Sequence, residues 1–396
     1  VYSYAAGGFG AARRRDGPDR CFRESREGRV STPQSGRGVH SGPVIALDAM
    51  GGDHGPREAV RGAVQAVREH GLSVVLVGRR PELAGLLAEE DAAGAVPIRH
   101  AEDTLTMHEG ALASWRRPRS SIAVACRLIR QGEASALVST GSTGGVVTTS
   151  TVRLRTQHGI MRPALAVSLP TRPRPTVLLD AGANADAKPE MLVQFAHLGA
   201  AYARSAFGTR NPKVAMLTIG AEPGKGNRLA RKTADLLTAA AAQAPQSQRL
   251  DFRGNVEGHD LLAGEVDVVV TDGFTGNVAL KTVEGAVRFT MDAVTEAMTS
   301  STAAKAGAFL QRKGLRELRN RLDSETYGGA VLLGLNASVV IAHGASRAPA
   351  VERACRLAHD LTSGGIGEEV RSRVQAGARS ARRSRTGSGG EDQPAT

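Results

Sequence analysis

A short run of Val, Ile, Leu and Ala gives way to a loop of Gly, Asp, Asn and Thr, and the loop to a segment with helical spacing; the chain repeats this order along most of its length. VIALDAM (44–50) leads through GGDHGP into EAVRGAVQAVREHG, where Ala59, Val60, Ala63, Val64 and Val67 share one helical face. LSVVLVG leads into RRPELAGLLAEE, ASALVST into GSTGGVVTTST, and TVLLD into AGANADAKPEMLVQFAHLGAAYA. KVAMLTIG leads into AEPGKGNRLARKTADLLTAAA, and VDVVVTDG into FTGNVALKTVEGAVRFTMDAV. Near-continuous apolar strands alternating with helices define an α/β class, with a mainly parallel sheet covered on both faces. In such sheets ligands sit beyond the carboxyl ends of the strands, where these polar loops are expected to fall and converge on one site.

The 396 residues are 41% apolar and 23% charged, enough for a well-buried core, and 3% aromatic with 47 glycines points to Ala/Val/Leu packing joined by tight loops. Residues 1–42 carry eight Arg against four acids and residues 370–396 six Arg against two, so the ends hold +8 of the net +12. Both ends mix Gly, Arg, Ser and Pro without apolar periodicity and are expected to be disordered, leaving 43–369 as the folded domain. The body keeps no basic, aromatic-interleaved patch, which argues against nucleic acid, although its mild positive charge suits an acidic partner. Cys21, Cys126 and Cys355 lack paired spacing, so neither a disulfide framework nor a zinc site is expected and a reducing cytoplasm is the default. No apolar run reaches the length of about 18 residues that a membrane-spanning helix needs. The N-terminus has no secretory apolar segment, and Asp16, Asp19, Glu24 and Glu27 disfavour a transit peptide.

GAEPGKGN (220–227) is one residue short between its glycines for a P-loop and has Gly226 where Ser or Thr is required. No GxGxxG follows the first strand, and GxSxG and HExxH are missing, so a dinucleotide cofactor, a serine hydrolase and a metalloprotease all lose ground; no cofactor and no metal are expected. What remains are Gly-rich loops at helix starts, Gly51-Gly52, Gly141 to Gly145 and Gly273 to Gly276, whose N–H groups make anion seats, or else simply turn the chain. Asp48, Asp53 and His54 flank the first pair as orienting groups or as turn and cap residues. Lys188 stands at a helix start, where a cation opposes the dipole, which suggests a ligand role; His343 closes another apolar run, as a structural or a catalytic histidine. Residues 300–322 form a basic amphipathic helical hairpin, packing on its own domain, on a second subunit or on an anionic membrane.

Together ALDAMGGDHGP, STGSTGG, RPALA, LLDAGANADAKPEMLVQFAHLG, KGN, GNVEGHD, DVVVTDGFTGNVALKT, YGGAVLLGLN and AHGAS resemble the bacterial acyl-ACP:phosphate acyltransferase family known as PlsX, over roughly residues 43–362. The resemblance implies transfer of a fatty acyl group from acyl carrier protein (ACP) to inorganic phosphate, giving the acyl phosphate that feeds phospholipid synthesis through glycerol-3-phosphate acyltransferase. It implies an α/β/α sandwich similar to isopropylmalate and isocitrate dehydrogenases, a homodimer, and a peripheral enzyme at the cytoplasmic face of an anionic membrane. Phe309, Leu310 and Leu315 of the hairpin would touch that membrane. Carried onto this chain, Lys188, Asn184, His54 and Asn255 are the catalytic candidates. Substrate binding falls to Asp48, Gly51, Gly52 and Asp53, to Gly141, Ser142, Thr143 and Gly144, to Glu257, to Asp272, Gly273, Thr275, Gly276 and Asn277, and to His343. Direct attack by phosphate is expected, because no Cys or elbow Ser stands in the motifs.

The chain departs from the family at Ser142 and Gly145, where Asn-Thr-Gly-Ala is usual, at Arg228 in place of Glu, and at His259 in place of Arg. Competing readings are a phosphotransacetylase using acetyl-CoA, a catalytically weakened membrane scaffold, and, on fold analogy alone, a dehydrogenase.

Overall fold

The computed structural model describes residues 42–105, 116–243, 249–322 and 324–373. Cys21 and most of both expected tails lie outside these residues. The helical body runs on through 370–373, where Val370 and Arg373 are buried, so the fold does not give way to a tail at 370.

The strands are β1 (Val44–Asp48), β2 (Ser73–Gly78), β3 (Ile98–His100), β4 (Ala136–Ser139), β5 (Ala164–Leu169), β6 (Thr176–Leu179), β7 (Lys213–Leu217), β8 (Asp251–Val256), β9 (Val268–Val270), β10 (Ala330–Leu333) and β11 (Ser338–Ile341). They form one 11-stranded sheet in the order β3-β2-β1-β4-β11-β10-β5-β6-β9-β7-β8. β1, β2, β3, β4 and β11 pair in parallel, as do β6, β9, β7 and β8. Between the two groups β10 is antiparallel to both β11 and β5, and β5 is antiparallel to β6. Three reversals leave the parallel groups pointing in opposite directions. The loops after β1, β4 and β11 therefore lie at one sheet edge and those after β6, β7, β8 and β9 at the other, which corrects the expectation of a single edge. The cause is a pair of short antiparallel connections, 170–175 and 334–337, which a pattern of apolar run and helix does not reveal.

The helices are α1 (Gly55–His70), α2 (Arg80–Glu89), α3 (Ser121–Arg130), α4 (Thr143–Leu154), α5 (Pro189–Phe207), α6 (Arg228–Gln243), α7 (Gly273–Thr299), α8 (Thr302–Leu310), α9 (Arg312–Leu322) and α10 (Ala348–Ser363). Strand side chains alternate between two apolar layers, as a period of two requires. Ile45, Leu47, Val177, Leu179 and Val268 pack with Val60 of α1, Leu83 of α2, Phe195 of α5, Leu237 of α6 and Val351 of α10. Ala46, Leu178 and Val269 face the other way, against Ile122 of α3, Val146 of α4 and Leu280 of α7.

α7 is anomalous: in 27 residues it buries only Gly273, Gly276 and Leu280. At 1.5 Å per residue it is about 40 Å long, so most of it projects from the sheet. It carries α8 and α9, in which no residue is buried. The expected hairpin is thus a pair of helices parted at Gln311, with Gly314 inside the second. Phe309 and Leu310 are exposed, Leu315 is half-buried, and the Arg312 guanidinium lies 4.5 Å from the centre of the Phe309 ring. Among the described residues no helix is long and apolar enough to cross a membrane.

Candidate active site

β1 ends in Asp48, whose buried carboxylate ties its own loop to the one after β4. Its Oδ1 accepts from Met50 N at 3.2 Å and its Oδ2 from Ser139 Oγ at 2.7 Å, while Ser139 Oγ accepts from Gly141 N at 3.0 Å. Burial pushes the Asp48 carboxyl up from its ordinary value, against the pull of hydrogen bonds from Ser121, Ser139 and Met50. A Cβ on Gly51 would lie 2.5 Å from Gly141 N, so this glycine is demanded by the approach of one loop to the next. A Cβ on Gly52 would lie 2.9 Å from Thr140 Oγ1, and Asp53 N donates to Gly344 O at 2.7 Å, which brings in the loop after β11. The Asp53 and His54 side chains are exposed, and His54 makes no capping bond to α1. Ser142 caps α4 through Gly145 N at 3.3 Å. The Thr143 and Gly144 N–H groups, at the positive end of that helix, have no acceptor among the described residues.

At the other edge β6 runs into Asp180, which was not among the sequence-derived candidates. Its carboxylate is fully buried and accepts five N–H bonds. Leu165 N (3.0 Å), Gly182 N (3.2 Å) and Ala183 N (3.0 Å) donate to Oδ1; Asn184 N and Asn184 Nδ2, both at 2.8 Å, donate to Oδ2. Burial raises the Asp180 carboxyl, but the donors favour its ionised form, since none offers an acceptor to a carboxyl proton. Asn184 Nδ2 also donates to Pro163 O at 2.8 Å, so this amide is committed to holding its own loop.

The start of α7 packs directly on that loop. Gly273 N donates to Asn184 O at 2.9 Å, and a Cβ on Gly276 would collide with the Asp180 carbonyl. Gly276→Ala is therefore expected to cost about 1–3 kcal/mol through overpacking, read as a lower urea midpoint at unchanged slope. Asp272 caps α7, its Oδ1 accepting from Thr275 N and its Oδ2 from Thr275 Oγ1, both at 2.8 Å. Those two side chains satisfy each other.

Between the two sets of loops lies a cleft of about 340 Å³ over the antiparallel centre of the sheet. Thr143, Gly144 and His343 line it from one edge; Gly182, Ala185, Gly273 and Asn277 line it from the other. The loops thus meet over the sheet face, although they start from opposite edges. Leu165 and Val167 of β5 form an apolar floor, and Lys281 brings a cation, 2.7 Å from Glu284 Oε2. His343 Nδ1 accepts from Ala345 N at 3.2 Å, which puts the proton of the neutral ring on Nε2 as a donor. Two helix N-termini, a lysine, an amide and an imidazole N–H can hold an anion and polarise a carbonyl beside an apolar surface. Lys281 was missed in the sequence. Its signal was spacing, four residues after Asn277 and on the same helical face.

Several candidates do not line this cleft. Lys188 is the exposed N-cap residue of α5 and makes no side-chain capping bond. Asn255 Nδ2 donates to Glu222 O at 2.9 Å, while Glu257 caps the short turn Gly258–Leu262 reciprocally with Asp260. His259 is exposed, 3.2 Å from Asp260, and Arg228 is exposed in the first turn of α6. Cys126 and Cys355 are buried, and burial pushes both thiols up to about 12. Among the described residues no group of three or more His, Cys, Asp or Glu is placed to hold a metal ion.

The fold is shared with solved phosphotransacetylases. One from Streptococcus pyogenes superposes with a TM-score of 0.57 at 19% identity, over 83% of this chain and 95% of that one. The EutD phosphotransacetylase from Staphylococcus aureus gives 0.53 at 15% identity, over 81% and 94%. Sequence carries the assignment further. Residues 44–368 match the model of the family described as fatty acid synthesis protein. The chain is 69% identical over 329 residues to the phosphate acyltransferase of Thermobifida fusca, covering 83% of this chain and 90% of that protein. It is 44% identical over 332 residues to the phosphate acyltransferase of Thermus thermophilus, covering 84% and 98%. The chain belongs to this fatty acid synthesis protein family, the PlsX phosphate acyltransferases that its motifs resemble, and is an acyltransferase with phosphate as a substrate.

Proposed function

We propose that the cleft transfers a fatty acyl group from the thioester of acyl-ACP to inorganic phosphate. A phosphate oxygen attacks the carbonyl carbon, the C–S bond breaks, and acyl phosphate leaves with the carrier thiolate, which takes up a proton. The observation that carries this reading is the pairing of an anion seat with an apolar floor in one cleft. Phosphate sits against the Thr143 and Gly144 N–H groups with Lys281 as counter-charge, and His343 Nε2–H and Asn277 face the carbonyl oxygen as charge develops there. Attack is direct, because Cys126 and Cys355 lie outside the cleft with thiols that stay protonated near neutrality. Lys188, at the end of the loop that contains Ala185, is a second cation for the arriving phosphate, and Asp48 and Asn184 act by holding loops in place.

The basic balance of the body favours an acidic carrier protein over a free thioester. The exposed Phe309 and Leu310 beside Arg312, on the projecting helices, suit peripheral contact with an anionic membrane at the cytoplasmic face, and the sparsely buried α7 suits packing in a homodimer. Acyl phosphate is then consumed by a glycerol-3-phosphate acyltransferase on the route to phospholipid.

The test is to mix purified protein with palmitoyl-ACP and inorganic phosphate, following free thiol and acyl phosphate together. Both products are expected to appear in equal amounts and only with phosphate, and Lys281→Met is expected to lower kcat/KM about 10²-fold. Thiol release without phosphate dependence, or transfer from acetyl-CoA in preference to palmitoyl-ACP, would overturn the reading.

A further inference from the structure

Resting on that assignment, we infer that the acyl chain leaves the reaction cleft along α7 in a groove ending beneath α9, and that this groove sets the length of chain accepted.

A second cavity, of about 540 Å³, opens where the first one ends, and the two share Leu280 and Glu284 of α7. Both walls continue in register from one cavity to the next. On the sheet side, Leu165 and Val167 line the first cavity and Leu169 the second; residues two apart on a strand share a face, so β5 supplies one unbroken apolar strip. On the helix side, Asn277 and Leu280 line the first cavity, and Leu280, Val283, Val287 and Met291 line the second. Steps of three and four residues keep one stripe of the helix facing inward. The far end is closed by Leu322 and Arg319 of α9.

The dimensions fit an alkyl chain. From Leu280 to Met291 the helix advances about 16 Å. A bilayer core of about 30 Å is spanned by two opposed acyl chains, so one chain needs about 15 Å. The apolar floor begins beside the groups that hold phosphate, as an acyl chain bound through its carbonyl requires. Glu284, Arg288 and Asp292 line the cavity with the apolar side chains, and Arg288 can cover the chain with its methylene stem while its charge stays in water. Val283, Val287 and Met291 are half-buried together with Glu284, Gly285, Val294 and Met298, while the rest of α7 beyond Leu280 is exposed, which marks this side of the helix as the covered one.

The experiment compares palmitoyl-ACP with octanoyl-ACP as donors for the intact protein and for Met291→Trp and Val287→Trp. Both positions lie on the projecting part of α7, and circular dichroism checks the fold. An indole at position 291 would occupy the distal half of the groove. The ratio of kcat/KM for the long chain over the short one is expected to fall at least about tenfold in Met291→Trp. Val152→Trp, on an exposed position of α4 outside both cavities, is expected to keep the ratio of the intact protein. An unchanged ratio in both groove variants overturns the proposal. So does an unchanged ratio with a shifted sedimentation coefficient, which would make this stripe an interface between copies of the chain. A binding measurement separates failure of the groove from failure of the assigned reaction: palmitate is expected to displace anilinonaphthalene sulfonate from the intact protein at lower concentration than octanoate does, and Met291→Trp to remove that advantage. If no carrier supports turnover while this displacement holds, the reaction is wrong and the groove stands; if palmitate has no advantage in the intact protein, the groove is wrong.

Discussion

Asp180→Ala is expected to lower the unfolding free energy by roughly 3–5 kcal/mol, a large part of what a domain ordinarily has in hand. The carboxylate is the common acceptor for the N–H groups of Leu165, Gly182, Ala183 and Asn184 and for the Asn184 amide. Removing it leaves these donors buried, each at about 1–3 kcal/mol, less what water recovers by entering the space vacated. The effect reaches the site, since Gly182 and Ala185 line the cleft and Gly273 hangs from the Asn184 carbonyl. Activity under native conditions should therefore fall through a raised KM for phosphate. Asp180→Asn keeps the volume but turns an NH2 toward N–H donors, so its stability should be close to that of the alanine variant. Urea unfolding of both variants is the measurement, and a loss below about 1 kcal/mol would show that the loop is held by something else.

The sequence made the class of fold legible because strand and loop chemistry coincide locally. VIALDAM becomes β1 with its Gly loop, and VDVVVTDG becomes β9 followed by α7, because each run is buried on both faces and each loop has to approach another. The reversal of the sheet centre was not legible. β5 and β10 are four- to six-residue apolar runs, and nothing in their periodicity says which partner they take or in which direction. The site was partly legible for a related reason. Glycine loops after apolar runs stand out, and of the substrate-binding candidates that they and the family resemblance suggest, Thr143, Gly144, Gly273, Asn277 and His343 line the cleft. Asp180 reads as the last letter of a strand, since a carboxylate whose partners are all main-chain N–H groups, apart from the Asn184 amide, leaves little pattern in side chains. The groove beyond Lys281 depends on β5 lying under α7, a contact more than 100 residues apart in the chain.

His197 is expected to make the protein sensitive to acid. It lies within α5, fully enclosed, and neither ring nitrogen has a hydrogen-bond partner among the described residues. Burial, aided by the positive charge of Arg373, lowers it from 6.5 to about 4. The unfolded chain takes up a proton there below pH 6.5, whereas the folded protein does so only near 4, so stability falls as the pH drops through that window and levels off below it. At about 1.4 kcal/mol per pH unit, the loss is about 2 kcal/mol at pH 5 and about 3 kcal/mol at pH 4. Asp48 and Asp180 act in the opposite sense. Their carboxyls are raised in the folded state, so acidification protonates the fold before the unfolded chain and restores part of the loss. The raw pH profile of the intact protein therefore mixes both signs, and only the difference from a variant isolates the histidine. His197→Leu keeps a similar volume and removes both unpartnered nitrogens, so near pH 7 its stability should match or exceed that of the intact protein. Between pH 7 and pH 5 the difference should move in its favour by about 2 kcal/mol, while carboxylate effects common to both proteins cancel. Parallel pH profiles for the two proteins would mean that the buried ring is hydrated or finds a partner, and that the acid sensitivity arises elsewhere.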